Sequence, residues 1–227
     1  MYTKQENGWT VPIWETLLNG SCRPSFHVHY RDWDKLKTAI FEMDETNRRT
    51  FVDLGANFGL ISVVAKQYFK RVIAVEPHPV TAECLRNNMS KEIHGMPSGT
   101  YQVIEAAAGQ YKDMINVYTP SDPQTSGYTS TTAHDGWTPQ RVKQISIDSL
   151  GLTNCDFMKL DVQGAEHDAL MGAEQTVRLH RPIVYCETKE GTECVDLLKS
   201  WGYKVMYDYQ KGHLLLHHKK RRLASLR

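Results

Sequence analysis

A short apolar strand running into a glycine-rich turn, Thr50-Phe-Val-Asp-Leu-Gly-Ala-Asn-Phe-Gly59, constrains this chain more than any other segment. A helical pattern follows it, then a second apolar strand ending in a carboxylate, Val72-Ile-Ala-Val-Glu-Pro77. That order is the first half of a nucleotide-binding crevice. Its charged residues narrow the choice of nucleotide. A dinucleotide site lays a pyrophosphate on the helix N-terminus, and three close glycines let it approach. Here Asp53 ends the strand, where it would repel a phosphate, and Asn57 stands in place of the central glycine. A phosphate-free adenosine compound with cationic ammonium and sulfonium groups suits that charge. S-adenosylmethionine is such a cofactor.

Strand and helix patterns alternate through the rest of the chain. Strands are expected at 50–54, 72–76, 101–105, 156–161 and 183–187. Helices are expected at 57–69, 79–91, 165–178 and 191–201, the last ending at Gly202. Residues 113–118 and 142–147 read as a further strand pair. The Ser/Thr/Gly/Pro-rich stretch Thr119 to Arg141 between them reads as a long loop. Strands 203–208 and 213–217 read as a hairpin across Tyr209 to Gly212. The alternation predicts an α/β fold: a mostly parallel sheet with helices on both faces and one antiparallel strand from the closing hairpin.

Three divisions are expected. Residues 1–49, with aromatics alternating among polar residues and a possible helix from Asp34 to Glu45, form a lid or packing segment. Residues 50–217 are the main domain and 218–227 a basic tail. The tail region carries Lys219, Lys220, Arg221, Arg222 and Arg227 and no acid, which leaves the body of the chain net acidic. A solvated tail and a contact with an anionic partner are both open. No apolar run approaches the roughly 20 residues needed to cross a bilayer, and the N-terminus shows no apolar signal segment. The five cysteines show no metal-ligand spacing, so no metal site is expected. Their scatter suggests reduced thiols in a cytoplasmic protein. Oligomeric state stays open.

Ligands in such sheets sit beyond the carboxyl ends of the strands. Asp53, Gly55, Ala56, Asn57 and Gly59 follow the first strand, and the exposed N–H groups there can bond a carboxylate. Glu76 ends the second strand, 17 residues past Gly59, where it can accept hydrogen bonds from both ribose hydroxyls; Pro77 follows it. Ala106, within Glu105-Ala-Ala-Ala-Gly109, leaves room for a flat adenine, though a plain small-residue turn reads as well. After the fourth major strand comes Lys159-Leu-Asp-Val-Gln-Gly-Ala-Glu166. Strand alternation puts Lys159 and Asp161 on one side, and Glu166 opens a helix, where capping is its simplest role.

These segments, with Ile147-Asp-Ser-Leu150, Gly172-Ala173 and Arg181-Pro-Ile-Val-Tyr-Cys-Glu187, resemble the FkbM-type family of class I S-adenosylmethionine-dependent methyltransferases. The resemblance runs over residues 50–187. It implies a Rossmann-like seven-stranded sheet and O-methylation of a sugar or other hydroxylated small molecule. It also implies cofactor contacts at Asp53, Gly55, Asn57 and Glu76. The family usually has a carboxylate where this chain has Gln163.

Methyl transfer to a hydroxyl needs alignment and a proton acceptor. Asp161 is the first candidate, with Lys159 orienting it or the substrate. His134, His167, Glu166 and Glu187 are alternatives. A small-molecule acceptor, possibly a glycan, is the favoured partner. An RNA 2′-hydroxyl, served by the tail, Lys159, Lys189 and N-terminal aromatics, is a rival, as is a non-catalytic binding module that keeps the fold. A nicotinamide oxidoreductase fits least, because Asp53 and the glycine pattern oppose it.

Overall fold

A computed structural model describes residues 3–6, 8–12, 17–18, 21–22, 36–91, 99–120, 129–208 and 212–219. The tail from 220 onward, and residues 121–128 of the expected loop, lie outside the described residues. The chain opens with the hairpin β1 (Thr3–Glu6) and β2 (Trp9–Pro12) and the short pair β3 (Leu17–Leu18) and β4 (Ser21–Cys22). Then follow β5 (Thr50–Leu54), α1 (Leu60–Ala65), β6 (Arg71–Glu76), α2 (Pro79–Met89) and β7 (Thr100–Glu105). A side branch comprises β8 (Ala107–Ala108), β9 (Asp113–Pro120) and β10 (Trp137–Ile145). The second half holds β11 (Phe157–Leu160), α3 (Glu166–Met171), α4 (Glu174–His180), β12 (Ile183–Cys186), α5 (Glu193–Ser200), β13 (Tyr203–Asp208) and β14 (Leu214–His218).

Seven strands form the main sheet in the order β13-β14-β12-β11-β5-β6-β7. β14 runs antiparallel to both its neighbours, and the remaining pairs are parallel. The fold is therefore the Rossmann-like sheet with one antiparallel strand that the pattern predicts. The winding reverses between β5 and β11, so a crevice opens beyond their carboxyl ends.

β5 shows how the sheet is held. All five of its residues are buried, as in a parallel strand covered on both faces. Val52 and Leu54 enter one apolar layer with Met158, Leu160 and, from the helices, Leu170 and Val177. Phe51 enters the other with Phe69, Leu85 and Phe157, and the Phe51 and Phe157 rings stack at 5.1 Å. Alternation then puts Asp53 on the Phe51 face, and the register sets Lys159 beside it. A carboxylate and an ammonium thus meet at the end of an otherwise apolar layer.

The N-terminal hairpin lies on α2. The Asn88 side chain accepts from the Thr10 N–H at 2.8 Å and donates to the Thr10 carbonyl at 2.8 Å and the Phe58 carbonyl at 2.7 Å. Val11 packs with Phe58 and Cys84. The hairpin therefore braces the glycine turn from behind. No described helix is long and apolar enough to cross a membrane.

Three expectations are corrected. The first helix starts at Leu60 rather than 57, because Asn57 and Gly59 take left-handed backbone with φ of 51° and 100°. The stretch 119–141 is partly strand: Thr119, Pro120 and Trp137 onward belong to β9 and β10, paired antiparallel from Pro120–Trp137 to Asp113–Gln144. The helix expected over 165–178 breaks into α3 and α4. A Cβ on Gly172 would fall 1.9 Å from the Gly109 carbonyl oxygen, so the backbone makes that close approach only with glycine. Asp148 then caps α4, accepting from the Gln175 and Thr176 N–H groups at 2.9 and 2.8 Å.

Candidate active site

The glycine turn is shaped by what lies behind it. Gly55 has φ of 74°, and a Cβ there would meet the Asp161 carbonyl oxygen at 1.8 Å. The turn after β5 and the turn after β11 are thus in backbone contact. Asn57 tolerates its left-handed conformation and accepts from the Phe58 N–H at 2.9 Å. A shallow, open cleft follows, lined by Gly55, Ala56, Asn57, Phe58, Leu60, Ile61 and Lys159.

Glu76 sits at one side of this turn, 5% exposed. Its two oxygens accept from the Asn57 N–H and the His78 N–H, both at 3.0 Å. Burial pushes its carboxyl up to about 7, against the opposing pull of those N–H groups and of Lys159. Pro77 is half-buried between Glu76 and His78, and Ala106 is buried where its N–H donates to the Glu76 carbonyl at 3.1 Å. Both flank the strand end that presents Glu76.

Asp53 is fully buried. One oxygen accepts from the Ser62 hydroxyl at 2.6 Å and the other lies 3.1 Å from the Lys159 ammonium. Ser62 is the residue the sequence reading missed. A lone hydroxyl on the buried face of Leu-Ile-Ser-Val-Val-Ala was the available signal. Lys159 also donates to the Gly55 carbonyl at 3.1 Å and lies 3.3 Å from Asp161. Burial alone would lower the Lys159 pKa, but Asp161 and Asp53 outweigh it and hold the ammonium charged. Lys159 ties the two turns together.

Asp161 keeps 12% of its side chain exposed at the crevice. Beyond it the Gln163 amide donates to Asp161 at 3.0 Å and to Glu187, just past β12, at 2.9 Å. Burial first, then hydrogen bonding and repulsion from Asp161, push the Glu187 carboxyl up to about 9. Glu166 accepts from the Val162 N–H at 3.2 Å and the Gly164 N–H at 3.1 Å, so it fixes the turn that carries Gln163. His134 is exposed and packs on Trp137, with ring centroids 4.5 Å apart. His167 is exposed on α3. The site thus brings together Asp53, Lys159, Asp161, Gln163 and Glu187, while the contacts of His134 are with an aromatic ring.

A bound S-adenosylmethionine fits these groups. Glu76 offers a carboxylate at the second strand end, and Gly55 and Gly59 take the left-handed backbone that shapes the turn beside it.

Comparison with known proteins supports the same cofactor through the family. A family model described as the methyltransferase FkbM domain matches residues 53–205, about two thirds of the chain. No curated protein sequence matches. Among solved structures, methyltransferase FkbM from Methylobacillus flagellatus KT is 20% identical, with a TM-score of 0.49. The match covers 76% of this chain and 44% of that one, so this chain spans less than half its length. The Escherichia coli protein yhhF, proposed to be a methyltransferase, matches at TM-score 0.51 and 11% identity over 94% of both chains, a likeness of fold alone. TYW2 of M. jannaschii, solved with AdoMet, is 14% identical, with a TM-score of 0.44 over 94% of this chain and 82% of that one.

Proposed function

Because the chain belongs to the FkbM methyltransferase family, with S-adenosylmethionine as cofactor, we propose that it methylates a hydroxyl oxygen of a sugar or another neutral small molecule. When bound, the cofactor supplies an electrophilic methyl group whose bond to sulfur breaks with its electron pair left on sulfur. The chain's own residues do the rest. Glu76 receives the ribose hydroxyls, and the turn from Gly55 to Gly59, bent by its two left-handed glycines, shapes the cofactor's side of the crevice. Ala56, Asn57, Pro77 and Ala106 complete the walls around it. Asp53 acts from below, fixing Lys159 and the turn rather than reaching the ligand.

The acceptor's place is the mouth beyond β11 and β12. There Asp161 is the proton acceptor, Lys159 orients it, and Glu166 holds its turn. Proton transfer to a positioned base contributes roughly 10²–10⁴-fold to a rate.

One observation carries the choice of acceptor. Three carboxyl groups, Asp161, Glu166 and Glu187, gather at this mouth, while the Lys159 ammonium beneath is already paired with Asp53 and Asp161. Carboxyl groups bind sugar hydroxyls well and repel phosphates. An RNA ribose, flanked by phosphodiesters, is disfavoured there. A cytoplasmic setting is supported by the buried thiols of Cys84, Cys155, Cys186 and Cys194, none of them bridged. A screen with tritiated-methyl S-adenosylmethionine against neutral glycosides, anionic sugars and RNA tests the reading. Label on neutral glycosides is expected; label on RNA alone would refute it, and a chain that binds no cofactor is a non-catalytic module.

A further inference from the structure

A single carboxylate is enough to accept a proton, yet a second stands beside it. Asp161 and Glu187 follow neighbouring parallel strands, close enough that Asp161 helps to raise the Glu187 carboxyl. A negative charge on one carboxyl opposes ionisation of the other, which favours keeping one proton on a close pair. The Gln163 amide spans both, at 3.0 and 2.9 Å. A primary amide has two N–H bonds, so it serves both acceptors at once. Gln163 reaches them from left-handed backbone with φ of 51°, a conformation L side chains avoid. Its neighbours hold it there. Gly164 follows with φ of 93°, Glu166 binds the Val162 and Gly164 N–H groups, and the Ser130 hydroxyl meets the Gln163 carbonyl at 3.4 Å. A carboxylate in place of Gln163 would offer the pair no donor.

We propose that the Gln163 amide clamps Asp161 and Glu187 into one proton-sharing pair, and that this pair takes up the proton of the acceptor hydroxyl. The proposal rests on the methyl-transfer reading only for the acceptor being a hydroxyl. The acceptor O–H bond breaks and its proton goes to a free Asp161 oxygen. The electron pair left on the acceptor oxygen forms the bond to the methyl carbon. Glu187 keeps its proton, so the pair passes from one negative charge to none. Charged and titratable groups facing the pair are Lys159 from β11, Glu166 from α3 and, behind Lys159, Asp53 from β5. Gln163 is a positioning residue.

Carbon-13 NMR of the side-chain carboxyls, followed from pH 4 to 10, tests this without an acceptor. In the full chain the Asp161 and Glu187 resonances are expected to move together in one step above neutral pH. In Asp161→Asn the Glu187 midpoint should fall by at least one pH unit; an unmoved midpoint would mean that burial alone holds the proton and would overturn the pair. In Gln163→Leu the two resonances should part and titrate separately, and continued joint movement would overturn the clamp. Calorimetric binding of S-adenosylmethionine reports whether each variant is folded. If Gln163→Leu does not fold, the Asp161→Asn result still decides. Should the unmodified chain bind no S-adenosylmethionine, the methyl-transfer reading fails, while the carboxyl titration still decides for or against the pair.

Discussion

The two halves of the crevice are built differently. On the cofactor side every polar group is locked: Asp53 between Ser62 and Lys159, Glu76 between two backbone N–H groups, Asn88 behind Phe58. On the acceptor side the carboxyls are partly exposed, joined through one side-chain amide, and carried by a turn whose Gln163 carbonyl meets the Ser130 hydroxyl. The contrast matches the role proposed for each side. A fixed site suits one invariant cofactor, since preorganised groups bind without reordering. A looser rim of carboxyls suits a hydroxylated acceptor that must be aligned and deprotonated.

Substitutions that act on one half alone break or sharpen that contrast. Asp161→Asn should cut turnover by roughly 10²–10⁴-fold on whichever acceptor the screen identifies. Cofactor affinity should stay within about twofold in calorimetry, a change too small to mark a lost hydrogen bond; a matching loss of affinity would merge the two halves. Asp53→Ala should cost about 3–5 kcal/mol of stability in urea unfolding, because it strips a partner from the buried Lys159 ammonium. Replacing both by apolar residues, Asp53→Leu with Lys159→Met, should recover much of that loss. Gly55→Ala should cost about 1–3 kcal/mol from left-handed strain alone, and more from the contact with Asp161. It should weaken both halves, since their turns touch there. His134→Ala should change stability by less than about 0.5 kcal/mol, as exposed positions do, with cofactor affinity unchanged. A loss of turnover with it would bring that histidine into the acceptor side.

Much of the cofactor half was legible in the sequence because it is local. The strand Thr50–Leu54, the turn through Gly59 and the strand ending at Glu76 lie in one stretch, and alternation and glycine placement speak directly to backbone geometry. Errors there were small: the turn uses Asn57 to Gly59, so helix α1 begins late. The acceptor half depends on distant contacts. Gly172 breaks a helix because the Gly109 carbonyl lies against it, a contact across 63 positions that no periodicity records. The pairing of 113–118 with 142–147 was expected, but Pro139 and the Ser/Thr-rich composition hid the first part of β10, residues 137–141. Gln163 read as a lost charge, and only the fold shows two carboxyls converging on its amide. Asp53, read from its position at the strand end, proves to be covered by Ser62 and Lys159.

Glu76 is the residue proposed to receive the cofactor's ribose, and its titration gives the most direct measurement. Its folded-state pKa is raised by burial from 4.5 to about 7. Ribose hydroxyls donate to the ionised carboxylate, so below that pH binding must first remove a proton. S-adenosylmethionine affinity should therefore climb about tenfold per pH unit as the pH rises toward 7 and level off above it, with proton release on binding in calorimetry. In Glu76→Gln, affinity should be weaker by roughly tenfold at pH 8, the worth of a hydrogen bond to a charged group, and flat with pH. Equal affinity in the two proteins, or no binding by either, would contradict the assignment of this crevice to the cofactor.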